Sequence, residues 1–200
     1  MDDSIGEKEF VMRETTKKLT LSAMFTALGL VLPFLTMQVP RFGNMLLPMH
    51  IPVFLCGLIC GWRYGGVVGF VLPLLRSAVF GMPVLFPAAC SMAFELATYG
   101  IVAGFLYGVS RWQCIRSLYR AIIAAMFAGR IVWGLVQMLF LGISGGHFTW
   151  QMFAAGAFLN AIPGIIVQLI LLPTVMVALH RTGLVHFHKK DAASEAAEHS

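Results

Sequence analysis

Apolar runs follow one another along this chain with only short polar or basic turns between them, and that alternation leaves few folds open. Of 200 residues, 58% are hydrophobic and only 12% charged, and mean hydropathy is +0.82. A soluble domain typically carries about 25% charged residues. This chain cannot cover its surface with polar groups, so it reads as an integral membrane protein. Within hydrocarbon the backbone must satisfy its own hydrogen bonds, which favours helices.

The runs divide into six. A polar lead, residues 1–16, precedes span 1 at about Leu19–Leu35, which is too long for the apolar core of a secretory signal, lacks a cleavage site and reads as a retained helix. Span 2 lies at about Pro48–Cys60 and span 3 at about Gly66–Phe80. Both are short for a hydrocarbon core of about 30 Å. The segment Gly61-Trp62-Arg63-Tyr64-Gly65-Gly66 reads as a Gly-rich basic turn between them, and Pro48 and Pro52 predict a bent or partly unwound outer end for span 2. Spans 4, 5 and 6 follow at about Pro87–Val109, Ala121–Leu141 and Trp150–Leu179. Gly100, Gly104 and Gly108 form a GxxxG ladder on span 4, which lets helices approach closely. The domain reading is a lead over 1–16, a six-helix membrane domain over 17–182 and a tail over 183–200.

The net charge of +5 is not a nucleic-acid signature, because Lys and Arg gather at span ends. With six spans, all of them except Arg41, Arg76 and Arg130 fall on one side of the membrane. The positive-inside rule then puts both termini in the cytoplasm. The expected fold class is an all-α integral membrane protein, a bundle of six transmembrane helices.

Three ionisable residues lie inside spans: Arg76, Glu95 and Arg130. A charge at the centre of a bilayer costs about 2.5–3.5 kcal/mol on insertion scales, so each is a candidate for function. Arg76 and Glu95 flank the turn Gly81-Met82-Pro83, and a mutual ion pair is one reading. Arg130 near the middle of span 5 needs Glu95, carbonyls, water or a ligand. Two Arg against one Glu leave one positive charge, which would favour an anionic or carboxylate-bearing ligand through the Arg fork. Asn44, His50, Gln137, Asn160 and Gln168 add neutral hydrogen-bonding groups, each more often a tie between helices than a ligand contact. Asn160 stands out beside Pro163-Gly164, where a helix can open.

Cys56 and Cys60 share a helix face and read as small packing residues rather than metal ligands. Trp62, Trp112 and Trp150 fit an interfacial belt. Ala23 and Ala27 form a small-xxx-small face on span 1, open to internal packing or to a docking partner. No P-loop, HExxH or GxSxG pattern is present, which removes the chemistries those motifs carry. The readings left are a binding-and-passage subunit, a small intramembrane enzyme acting on lipid, and a self-sufficient ion-coupled carrier. The second lacks a visible nucleophile and the third a visible internal repeat.

Several segments carry a resemblance: Leu21-Ser22-Ala23-Met24-Phe25-Thr26-Ala27-Leu28, Pro52 through Gly61, Gly65-Gly66-Val67-Val68-Gly69, Gly81-Met82-Pro83 with Glu95 through Gly100, and Asn160 through Gln168. In this order the chain, over about residues 17–180, resembles the substrate-binding S components of energy-coupling factor (ECF) transporters, which import vitamins across the prokaryotic plasma membrane. The resemblance implies a multi-pass binding subunit that is not an enzyme and holds no cofactor of its own. It implies a transmembrane T component and two cytoplasmic ATPases as partners, the ATP being used by those partners. It makes Ala23 and Ala27 the face that meets the T component. It puts the substrate beneath loops at about 36–47, 81–86 and 142–149, within reach of Asn44, His50, Arg76, Glu95, Arg130 and Asn160. The excess positive charge and the pattern around Pro48, His50 and Gly81-Met82-Pro83 lean toward pantothenate, with pyridoxine or riboflavin as other vitamins.

Overall fold

The structure is a computed structural model and describes residues 3–36, 49–110, 114–143 and 162–181. Six helices make up nearly all of it: α1 (Asp3–Thr36), α2 (His50–Cys60), α3 (Trp62–Phe80), α4 (Cys90–Val109), α5 (Ile115–Ile143) and α6 (Ile162–Arg181). One irregular turn, Leu85–Ala89, leads into α4. Five of these segments are long and apolar enough to cross a membrane.

The sixth, α2, has 11 residues and reaches only about 16 Å at 1.5 Å per residue. Ten of its residues are buried, all but Ile59. A helix apolar on every side belongs in a core, and α2 packs against α1, α3, α4 and α6. The bend expected at Pro52 does not occur. Pro52 falls in the first turn of α2, where a missing N–H costs no intrahelical bond. Pro48 lies outside the described residues.

Another expectation about the same region changes. The basic stretch 61–66 is not a turn, because Gly61 alone reverses the chain at φ +98° and α3 begins at Trp62. A side chain is strained at that φ, so one glycine suffices and the next residues are free to be helical. This lengthens span 3 to 19 residues, enough to cross. The polar lead is helical from Asp3 and continuous with the rest of α1.

Glycine sets how the inner helices meet. A Cβ on Gly57 of α2 would sit 2.6 Å from the carbonyl oxygen of Gly100 on α4. A Cβ on Gly65 of α3 would strike the Gly57 Cα, and one on Gly100 would strike the Gly65 carbonyl. Three backbones therefore touch at one level, with Gly69 against Leu96 and Gly104 against Gly57 and Trp62 extending the seam. Bare backbone in contact is how helices gain van der Waals packing in lipid. The GxxxG ladder is only partly used: a Cβ on Gly108 would meet open space.

On α1, Ser22, Phe25 and Gly29 face inward. The Cys56 thiol donates to Ser22 Oγ at 3.5 Å, and both Cys56 and Cys60 are buried in the core. Ala23 and Ala27 lie on the opposite, exposed side with Met24, Leu28 and Val31. Among the described residues, nothing buries that face.

Candidate binding site

The seam fixes the register from which the polar residues follow. Because α3 reverses at Gly61, α2 runs parallel to α4. Gly57 sits against Gly100 and Gly104, so His50, two turns back along α2, stands at the level of Glu95 on α4. Three helices meet at this level, α2, α4 and α5, and α6 packs on both α2 and α5.

Glu95 is 2% exposed and Arg130 8%. Arg130 Nη1 donates to Glu95 Oε1 at 3.1 Å, and the Tyr99 hydroxyl donates to the same oxygen at 2.7 Å. Tyr99 lies one turn along α4 from Glu95, so its hydroxyl reaches back along the same face. Its ring stacks on Phe54 at 5.0 Å and tilts against His50 at 5.4 Å. On the α5 side Gly129 makes room for it, since a Cβ there would stand 2.6 Å from the Tyr99 Cδ1. The residue that makes room for the ring is thus the neighbour of the Arg that meets the carboxylate.

Glu95 therefore pairs with Arg130, and Arg76 makes no ion pair with it. The reading that joined Arg76 and Glu95 across the 81–83 turn is corrected. Arg76 is half-buried on α3, while the carboxylate faces α5. The pair neutralises two charges that would each be costly alone. It does not exhaust the donors. Among the described residues, the Nε of Arg130 and the Nε2 of Gln168 are buried without a hydrogen-bond partner. Gln168 is 2% exposed on α6, which packs on α2 and α5. The Oε1 of half-buried Gln137, further along α5, is also without a partner.

Of the expected site residues, His50, Glu95 and Arg130 come together at one level. Arg76 stands apart on α3. Asn44 and Asn160 lie outside the described residues, as do the stretches at 37–47 and 144–149, Trp112 and Trp150. Tyr99 received no role from the sequence, although its i, i+4 spacing from a buried Glu was a usable signal. Gly129 carried no such signal, because its use depends on which helix α5 faces.

Chemically, the layer is a neutralised ion pair with N–H groups to spare. Among the described residues no cluster of three His, Cys, Asp or Glu is placed to hold a metal. A family model described as "ECF transporter, substrate-specific component" matches residues 17–176. No curated protein and no solved structure matches the chain. Multiple apolar helices around a buried polar layer, together with a match over most of its length, show that the chain belongs to the substrate-specific components of ECF transporters, multi-pass transport subunits of the prokaryotic plasma membrane and not enzymes.

Proposed function

We propose that this S component binds a water-soluble vitamin, pantothenate with its carboxylate before the carboxylate-free pyridoxine or riboflavin. It hands the vitamin to a transmembrane T component driven by two ATPases. The observation that carries the carboxylate is the buried Arg130, which pairs with Glu95 through Nη1 while its Nε–H is left over. A hydrogen bond from that Nε–H is charge-assisted at both ends when a carboxylate accepts it, which a neutral acceptor cannot match.

In this reading six helices span the membrane, both termini lie in the cytoplasm, and the vitamin enters from the opposite side. His50 and Arg130 face the ligand from below, and Asn44, Arg76 and Asn160 act nearer the entrance. Ala23 and Ala27 dock the T component, supported by their exposure on α1. Titration of the purified chain with pantothenate, pyridoxine and riboflavin tests the reading. Pantothenate should bind tightest, and Arg130→Met should weaken it at least tenfold more than it weakens a neutral vitamin. Equal losses would remove Arg130 from recognition. Ala27→Trp should abolish uptake by the assembled transporter while binding stays intact; lost binding instead would remove the docking role.

A further inference from the structure

A second site lies on the outer surface of the bundle, where α3 and α4 diverge from their glycine contact. It is a groove of about 480 Å³. Gly66, Val67, Phe70 and Val71 of α3 form one wall, and Ala97 and Ile101 of α4 the other. The sequence explains the cleft. Gly65, Gly69 and Gly100 draw the two backbones together beneath it, and Gly66 has no side chain to fill it. A Cβ on Gly66 would stand 2.6 Å from Ile101 Cγ1. On the α3 wall, Phe70 meets Phe94 edge-on at 5.5 Å.

The opposite end is different in kind. Trp62 and Arg63 complete the lining there, with the Arg63 guanidinium 5.2 Å from the Trp62 ring centre. Both are exposed, and both sit at the terminus of a membrane span. Trp at that depth marks the headgroup level. The groove is thus apolar along its length and cationic at the interface.

Its length and its charged end decide the occupant. From Arg63 to Val71 the helix rises about 12 Å, so an apolar track ends at a guanidinium, which matches a chain with an anionic head. We propose that this groove binds a phospholipid with an anionic headgroup, an acyl chain lying along Val67, Phe70 and Ile101 and the phosphate against Arg63. One basic side chain near an anionic lipid surface contributes about 1 kcal/mol, about fivefold in affinity.

The test uses the full chain in nanodiscs of equal phosphatidylglycerol and phosphatidylcholine, released and weighed by native mass spectrometry. Wild type should retain phosphatidylglycerol in preference. Arg63→Gln should cut that preference about fivefold. Ala97→Phe should remove the retained lipid whatever its headgroup, and Val67→Trp fills the same groove from an exposed position should Ala97→Phe fail to fold. Equal retention of the two lipids by wild type would overturn the proposal. So would lipid retention unchanged by both groove-filling variants, or a protein dimer that those variants dissolve.

Discussion

The glycine seam and the polar layer are neighbours on α4, and they hold the molecule in opposite ways. At the seam Gly57, Gly65 and Gly100 bring three backbones into contact, and no side-chain rotamer takes part. One turn away, Glu95, Tyr99 and Arg130 meet through long side chains, and donors are left over. The seam admits a single arrangement. The layer is neutral overall yet unsaturated, which suits a place where a ligand must enter and leave. Rigid backbone packing next to an incompletely satisfied polar group is how a site can be held in place without being filled by its own protein.

The contrast is broken most severely at the seam. Gly100→Leu should abolish the folded monomer in detergent, exceeding the ~1–3 kcal/mol typical of overpacked cores, because the atoms it meets are backbone. Size-exclusion chromatography reads the loss. Gly108→Ala, on the same face but meeting open space, should leave the melting temperature unchanged or raise it slightly, since Ala in a helix is ~0.5–1 kcal/mol more stable than Gly. Equal damage at both positions would show that the ladder works as a whole, against the packing described.

In the layer, Glu95→Ala should destabilise by about 3–5 kcal/mol, since it strands a buried guanidinium. Adding Arg130→Met to it should restore much of the loss, measured by thermal unfolding of the two variants. If the double variant is no better than the single, the two side chains are not coupled. Tyr99→Phe keeps the ring between Phe54 and Gly129 and loses only the hydroxyl's bond to a charged oxygen, an effect of about 1.5–3 kcal/mol. A smaller change would mean that Arg130 alone holds the carboxylate.

What the sequence makes legible follows from what each residue needs locally. The apolar runs identify the helices, and buried Glu95 and Arg130 identify themselves by the cost of placing charge in lipid. Partner choice is not local. Arg76 is the nearer candidate along the chain, across a visible turn. Arg130 wins because α4 turns its Glu95 face toward α5, a register set by glycine contacts that no spacing rule encodes. The same reason hides Gly129. Gly61 misled for a different reason: a run of Gly, Trp, Arg and Tyr looks like a loop, yet one residue with positive φ does the whole reversal and leaves the others helical.

If the layer receives a small polar molecule, mass spectrometry of the water-soluble compounds released when the gently purified chain is denatured should find it. One vitamin per chain, carrying a carboxylate, is the predicted result. A stoichiometric neutral vitamin would keep the transport function and contradict the role given to Arg130, whereas lipid alone, with no soluble compound even after incubation with a vitamin mixture, would contradict the claim itself.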